Sequence, residues 1–377
     1  MQRAKLEIEA LDEEASEQER PYVGAGNGRN DTCRMGEIFL GKQLSSNEIG
    51  RVFIAEIGAT DKPKIIKYAT DCRVRSGGKS GISLHPLIHE YIFMRSLSET
   101  GLVPEVEYIS PSQVLKDIPE SQGPRSLRTL ATARCTRLGS EARFLIQEKA
   151  GMNLSQFFRL ARNQPRKLAR RAIVLTINLV ILLRRIHSHG IVHNDIHHKN
   201  VVFKTDKITG ELVLIDFEFA EYFVSQLGEP IERPRRTELV ESNLSPWHLL
   251  DQRPGRRDDV FRAIEKMAET LSLGSLRAEY NQAIQEGLEE VGNPQDQESP
   301  EYLEVVKRVA LDHKLHKPLF TEYCNEKIGF KKDHVANAQT VLEGIINHIR
   351  AYSHPDDEPD YEYIVKELHK ALAYTDK

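Results

Sequence analysis

The sequence feature that most constrains the fold is a pair of short apolar segments that carry acid and amide side chains. Residues 191–203 are IVHNDIHHKNVVF, and residues 212–220 are LVLIDFEFA. Asp195 and Asn200 stand five positions apart, and Asp216 follows Asn200 by 16 positions at the end of an apolar run. The pattern predicts two short buried strands that flank a polar turn and place all three polar side chains near strand ends.

These three residue types at this spacing suit phosphoryl transfer. The Asp195 carboxylate can accept or orient an attacking hydroxyl, while the Asn200 amide oxygen and the Asp216 carboxylate can hold magnesium against ATP phosphates. Magnesium prefers a few protein oxygens together with phosphate oxygens, which fits an Asn and Asp pair. An Asn/Asp-rich turn before a buried strand would explain either fragment alone, but the ordered combination favours the catalytic interpretation.

Composition and charge restrict the remaining possibilities. The chain has 377 residues, of which 40 % are hydrophobic and 29 % charged, so two lobes with a sizeable core are possible. The net charge of −4 gives no reason to expect a nucleic-acid or anionic-membrane partner. Four widely spaced cysteines without a Cys-x-x-Cys pair predict free thiols in a reducing compartment. The apolar run 173–183 is too short to cross a bilayer, and the acidic first 20 residues do not resemble a targeting peptide. We therefore expect a cytoplasmic or nuclear protein.

The chain divides by pattern into three parts. Residues 1–35 are acidic and then glycine-rich, which predicts a disordered leader. Residues 36–150 contain short β-branched and aromatic runs, which predict an antiparallel meander and one helix. Residues 151–377 show mainly helical spacing. This arrangement predicts an α+β fold with a small β-rich lobe and a larger helical lobe.

Individual elements can be assigned within these parts. The predicted strands lie at 38–44, 51–57, 62–69, 106–109, 127–136, 143–148, 201–203 and 212–215, with a loop at 111–126. Helices are predicted at 87–97 and 166–187, and the segment beyond Trp247 is predicted to consist of helices and loops. In the second helix, Ile173, Ile177, Val180 and Leu183 recur at helical spacing and form one apolar face.

The motif of residues 191–220 resembles that of the eukaryotic protein kinases, and other parts of that family have counterparts here. Lys67, in KIIKY, stands on a predicted strand where these kinases keep the lysine that contacts the ATP phosphates. Glu90, in the following helix, matches its ion-pair partner. In SSNEIGRVF, Gly50 and Val52 match part of the glycine-rich loop, although two of its three glycines are missing.

Three further segments resemble the casein kinase 1 and vaccinia-related kinase group. IQEKAGMNLSQFF is similar to the hinge of that group, which implies that Gln147 is the gatekeeper and that Glu148 to Ala150 contact adenine. GRRDDVF is similar to the start of the central helix of the large lobe, where Asp259 would accept backbone N–H groups of the catalytic loop. EPDYEYIVKEL, residues 358–368, is similar to the terminal motif. The resemblance covers roughly residues 36–375, and it implies a bilobal kinase-like fold.

Three residues depart from the protein-kinase pattern. Asn194 replaces the usual arginine, and His197 replaces the usual lysine, although Lys199 lies two positions further and could contact the transferring phosphoryl group. Glu218 stands where a glycine follows Asp-Phe. The combination of HND and DFE also resembles choline and ethanolamine kinases, and Asp-x-His occurs in aminoglycoside phosphotransferases.

The resemblance implies an ATP- and magnesium-dependent protein serine/threonine kinase that acts on protein substrates. Asp195, Lys67 and Lys199 would act in catalysis, and Asn200 and Asp216 would bind the metal. A small-molecule phosphotransferase and a pseudokinase that acts as a scaffold remain open as alternatives. We expect a monomer that has no membrane or nucleic-acid partner.

Overall fold

The computed structural model shows an α+β protein that is mostly helical and contains small antiparallel sheets. It describes residues 33–35, 38–46, 50–57, 64–69, 86–109, 143–161, 165–208, 210–224, 255–272, 276–292, 299–312, 332–352 and 357–374. The predicted strand at 127–136, the loop at 111–126 and residues 1–32 of the predicted leader lie outside the described residues.

Six strands from the first part of the chain form one antiparallel sheet in the order β1-β2-β3-β4-β6-β5. The strands are β1 (Cys33–Met35), β2 (Ile38–Ser46), β3 (Gly50–Ile57), β4 (Lys64–Ala69), β5 (Val106–Ile109) and β6 (Arg143–Glu148). The predicted meander is confirmed, because β2, β3 and β4 pair with their neighbours in chain order. β1 pairs with β2 and lies in the last three residues of the segment predicted as a leader.

A single helix, α1 (Pro86–Leu97), packs against the sheet. Proline suits the first helical position because its missing N–H would have no intrahelical acceptor there. Phe93, Met94 and Leu97 are buried along the helix, so its inner face joins the common core. A 3₁₀ turn follows, and Gly101 ends it with a φ of 68°, which favours glycine.

The second part of the chain contains most of the helices. They are α2 (Leu154–Ala161), α3 (Pro165–His187), α4 (Arg256–Ser272), α5 (Leu276–Glu290), α6 (Pro300–Asp312), α7 (Lys332–Arg350) and α8 (Tyr361–Ala373). Helix α3 is central, because α4 and α8 both pack against it. None of the helices within the described ranges has the length and apolar character needed to cross a membrane.

The four residues predicted to form the apolar face of α3 are all buried, which confirms that prediction. Burial also extends to neighbouring positions that the periodicity did not select, among them Val174, Leu175, Leu179 and Leu182. Complete burial of one such side chain contributes roughly 1.5–3 kcal/mol, so α3 is a major source of stability. The helix is therefore a core element surrounded by others rather than a surface helix.

Two small antiparallel sheets of two strands lie beside α3. One pairs β7 (Ile191–Val192) with β10 (Glu221–Tyr222), and the other is the hairpin of β8 (Val201–Phe203) and β9 (Leu212–Leu214). This hairpin bonds to the chain that follows β6: Gly151 N–H donates to the Phe203 carbonyl at 2.8 Å, and Phe203 N–H donates to the Met152 carbonyl at 3.0 Å. These bonds connect the sheet to the helical part of the molecule.

Candidate active site

The first group of the candidate site is centred on the Lys67 ammonium. Its Nζ lies 2.6 Å from Glu90 Oε1 and 3.3 Å from Asp216 Oδ1. Strand β4 supplies the lysine, α1 supplies the glutamate, and the segment after β9 supplies the aspartate, because α1 packs against the 3₁₀ turn Phe217–Phe219. The side chains of Lys67 and Glu90 are 12 % and 2 % exposed, whereas that of Asp216 is 40 % exposed.

The charges of this group shift one another's proton affinity. Burial raises the pKa of Glu90 to about 7, and attraction to Lys67 offsets only part of that rise. For Lys67, burial opposes the charged form, but Asp216 and Glu90 outweigh it and hold the lysine pKa above its ordinary value. Desolvation opposes ionisation of Asp216 as well, yet Lys67 holds its pKa below the ordinary value. Above pH 7 the group therefore carries two carboxylates and one ammonium, an excess of negative charge that a cation can neutralise.

The second group consists of Asp195 and Asn200, in the loop between β7 and β8. The Asn200 side-chain Nδ2 donates to Asp195 Oδ2 at 2.9 Å and to the Asp195 carbonyl at 3.1 Å. Both residues are buried, at 7 % and 4 % exposure. The backbone then joins the two groups, because Ile215 N–H donates to the Asn200 carbonyl at 3.0 Å, one residue before Asp216.

Backbone conformation marks the same region. Within the part of the chain that the structure describes, Asn194 (φ 64°) and Asp216 (φ 69°) are the two non-glycine residues with positive φ. Asn and Asp tolerate this left-handed region better than other side chains, because their short polar groups can bond locally. The Asn194 Nδ2 donates instead to the Phe219 carbonyl at 2.9 Å, 25 positions away, so a tertiary contact holds this conformation. Such conformations concentrate at functional sites, where surrounding contacts hold them in place.

Asp259, near the start of α4, binds the backbone of the loop between β7 and β8. Its carboxylate accepts the backbone N–H of His193 at 2.7 Å and that of Asn194 at 2.9 Å. This confirms the predicted contact between Asp259 and the loop that carries Asp195. His193 adds an internal brace, because its Nδ1 accepts the Asp195 N–H at 3.2 Å and its Nε2 lies 3.1 Å from the Ile215 carbonyl.

His197 and Lys199, the two residues near the position of the usual lysine, differ in their relation to Asp195. His197 Nε2 lies 3.4 Å from Asp195 Oδ2, and the His197 side chain is 25 % exposed. Its Nδ1 accepts the backbone N–H of Lys199 at 3.2 Å, which leaves Nε2 as the nitrogen that points a proton at the carboxylate. The Lys199 side chain is exposed. Sequence reasoning treated His197 as a departure from the pattern; its position two residues after Asp195 was the available signal.

The remaining predicted site residues lie on strands of the sheet or directly after β6. Gln147 on β6 is 4 % exposed and pairs with Ile65, two residues from Lys67 on the same face of β4. Glu148 N–H donates to the Glu105 carbonyl at 2.8 Å, and Ala150 precedes the Gly151 bond to β8. On β3, Val52 pairs with Lys67 and Gly50 pairs with Ala69, so both lie in the strand beside the lysine.

The donor set fits a divalent cation of the magnesium type. The amide nitrogen of Asn200 is committed to Asp195, so its carbonyl oxygen is the atom that can bind a cation. Asp216 supplies a partly exposed carboxylate oxygen that is also ionised at neutral pH. Two oxygen ligands that leave room for water and phosphate match the preference of magnesium.

No family model matches the sequence, and no curated protein matches it.

Proposed function

We propose that the chain is an ATP- and magnesium-dependent protein serine/threonine kinase with a bilobal kinase-like fold. The small lobe would comprise residues 36–150 and the large lobe residues 151–377. One observation carries the proposal: the Lys67 ammonium contacts both Glu90 and Asp216, which lies 149 positions away in sequence. Such an arrangement is suited to holding a phosphate chain and its cation between a lysine and a carboxylate.

Each residue has a distinct role in this proposal. The Asp195 carboxylate orients a serine or threonine hydroxyl and accepts its proton, and Asn200, which donates to Oδ2, holds that carboxylate in place. Lys67, held by Glu90, contacts the phosphates. ATP would supply the transferred phosphoryl group, and magnesium, held by Asn200 and Asp216, would offset the charge that develops on it.

Two features support a protein acceptor over a small molecule. Only 44 positions separate Gly151 from Asp195, and α2 and α3, of 8 and 23 residues, occupy most of that interval, which leaves little room for an inserted acceptor pocket. The contact of Asp259 with the loop also agrees with the resemblance of α4 to the casein kinase 1 group. Lys199 and His197 are both candidates for contact with the transferring phosphoryl group.

Glu218 is the residue that supports the two alternatives, a small-molecule kinase and a pseudokinase. Glu218 sits in the 3₁₀ turn directly after Asp216, and its charge contributes to the raised pKa of Glu90. A carboxylate there is the feature shared with small-molecule kinases. The same charge would oppose productive placement of the phosphates, which agrees with a pseudokinase scaffold that has no turnover.

Thermal denaturation with and without nucleotide tests the proposal. A ligand that binds the native state alone stabilises it by about 2.7 kcal/mol at a hundredfold excess over its dissociation constant. We expect magnesium–ATP to raise the melting temperature, and magnesium or ATP alone to raise it less. No shift with magnesium–ATP would exclude the kinase assignment.

Turnover with separate acceptors then identifies the class. Radiolabelled ATP should label casein and the chain itself, and should label neither choline nor an aminoglycoside. Efficient choline phosphorylation with inert protein acceptors would favour the small-molecule kinase. A thermal shift without turnover on any acceptor would favour the pseudokinase.

A further inference from the structure

Three buried side chains connect the last helix to the loop that carries Asp195. The Tyr361 hydroxyl lies 2.5 Å from His187 Nδ1, and His187 Nε2 lies 3.0 Å from Asp259 Oδ2. Tyr361, His187 and Asp259 are 5 %, 3 % and 1 % exposed. Tyr361 is 174 positions from His187 in sequence, so this connection exists only in the folded chain.

The Asp259 carboxylate determines which groups donate and which accept in these hydrogen bonds. Its carboxylate accepts the two backbone N–H groups of His193 and Asn194, and a carboxylate has no proton to donate. His187 must therefore present a protonated Nε2 to Oδ2. In the neutral ring, Nδ1 is then the acceptor of the Tyr361 hydroxyl proton, so Asp259 sets the tautomer and Tyr361 bonds to the remaining nitrogen.

The tyrosine is well suited to act as the donor. Burial holds the pKa of Tyr361 above its ordinary value, so the hydroxyl keeps its proton. The residue is the first of α8, where Asp360 caps the helix by accepting the Tyr363 N–H at 2.9 Å. Asp360 N–H in turn donates to the Tyr352 hydroxyl at 2.7 Å, so the start of α8 is anchored on both sides.

We propose that Tyr361 is a positioning residue: its hydroxyl bonds to Nδ1 and fixes the orientation of the His187 ring, which orients Asp259 and thereby the backbone that presents Asp195. The inference rests on the proposed function in that Asp195 is taken as the reacting carboxylate. A side chain at the beginning of the last helix thus controls the geometry of a loop with which it has no direct contact among the described hydrogen bonds.

Tyr361→Phe removes the hydroxyl alone and keeps the ring. Tyr363→Phe is the matched control, because Tyr363 lies two positions later on α8 and its ring packs on His348 with centroids 4.3 Å apart. With magnesium–ATP and casein, we expect Tyr361→Phe to lower kcat at least tenfold while the Kd for magnesium–ATP changes less than twofold. Tyr363→Phe should leave both quantities within twofold of the parent chain.

Nitrogen-15 NMR of labelled histidine gives a readout independent of turnover. In the parent chain His187 should be the neutral tautomer with its proton on Nε2, and in Tyr361→Phe the Nδ1 resonance should shift because this nitrogen loses its hydrogen-bond partner. Amide exchange at His193 and Asn194 should accelerate at least tenfold in Tyr361→Phe and not in Tyr363→Phe. A second variant, His187→Gln, should also lower kcat with nucleotide affinity retained, and it replaces Tyr361→Phe if that chain does not fold.

Different failures have different meanings. A Tyr361→Phe chain with kcat within twofold of the parent, or a His187 ring protonated on both nitrogens, overturns the positioning role. Equal losses of kcat and nucleotide affinity would indicate a structural role only and would overturn it too. If the parent chain turns over no acceptor, the proposed function fails, and unchanged amide exchange at His193 and Asn194 would then overturn the positioning role separately.

Discussion

Replacing Gly151 by alanine tests the junction between the predicted hinge and the hairpin of β8 and β9. A Cβ at this position would lie 1.9 Å from the Thr205 carbonyl oxygen and 2.7 Å from its carbon. Contacts below 3.0 Å are essentially never seen for a real Cβ, so one segment must shift by about 1 Å, the difference between 3.0 and 1.9 Å. Because the obstacle is backbone, a side-chain rotation cannot relieve it.

The expected cost follows from the bonds that such a shift would break. Gly151 N–H and Phe203 N–H make the two hydrogen bonds that hold the junction, at 2.8 and 3.0 Å. Each contributes roughly 0.5–1.5 kcal/mol, and overpacking of a rigid site adds about 1–3 kcal/mol. We therefore expect Gly151→Ala to lower the free energy of unfolding by about 2–6 kcal/mol, a large part of a typical total of roughly 5–15 kcal/mol.

Urea denaturation followed by circular dichroism measures this free energy, with Gly344→Ala as the matched control. A Cβ at Gly344, inside α7, meets nothing within 4 Å, so alanine there should stabilise the chain by about 0.5–1 kcal/mol. Nucleotide affinity should fall in Gly151→Ala because Ala150 moves with the junction, and should be unchanged in the control. A Gly151→Ala chain within 0.5 kcal/mol of the parent would refute the steric argument, as the estimate requires at least about 2 kcal/mol.

Three further predictions concern the site and its surroundings. Asp195→Asn should abolish turnover and spare ATP binding, whereas Asp216→Asn should weaken magnesium-dependent ATP binding because a metal ligand loses its charge. Calorimetric titration with ATP distinguishes the two variants, and wild-type turnover in Asp195→Asn would exclude Asp195 as the base. Burial and the Lys266 charge lower the pKa of His198 from 6.5 to about 4, so the folded state resists a proton that the unfolded state accepts. The neutral His198 ring therefore adds to the free energy of unfolding fully above pH 6.5, and this addition is lost as pH falls towards 4, by about 2 kcal/mol between pH 7 and 5. In urea melts, the free energy of unfolding of His198→Gln should fall correspondingly less over this pH range, and an equal fall in both chains would contradict this. Phosphatase treatment should change activity less than twofold, because Asn194 has no charge to receive a phosphate; a tenfold loss, with removal verified by mass spectrometry, would show that another cation takes that role.

Local pattern was sufficient to predict most elements that position the site. β-Branched runs predicted β4, β6 and β8, and the proline before residue 87 predicted the start of α1. Helical spacing predicted α3, because a helix presents one side chain to the same face every three or four residues. These are short-range properties, so neighbouring residues contain the information needed to predict them.

The sequence also indicated which residues of the candidate site would lie together, although their distances could not be predicted. The order and spacing of Lys67, Glu90, Asp195, Asn200 and Asp216 indicated that they belong together. The contacts that unite them arise from packing of α1 against the turn after β9 and from the hairpin of β8 and β9, which close long loops of chain. A pattern of residue types specifies which groups are present, whereas their separation depends on the packing of every element between them.

Tertiary structure alone decided the features for which the sequence had no periodic signal. The sequence placed a histidine two positions after Asp195, but only the fold turned His197 towards that carboxylate. Burial of α3 on most sides, beyond its one predicted apolar face, also depends on the helices that surround it. The contact between Tyr361 and His187 joins residues 174 positions apart, and its partners become neighbours only when α8 packs on α3. Local sequence determines which elements form, but contacts between distant residues depend on how those elements pack, because burial of their apolar faces brings them together.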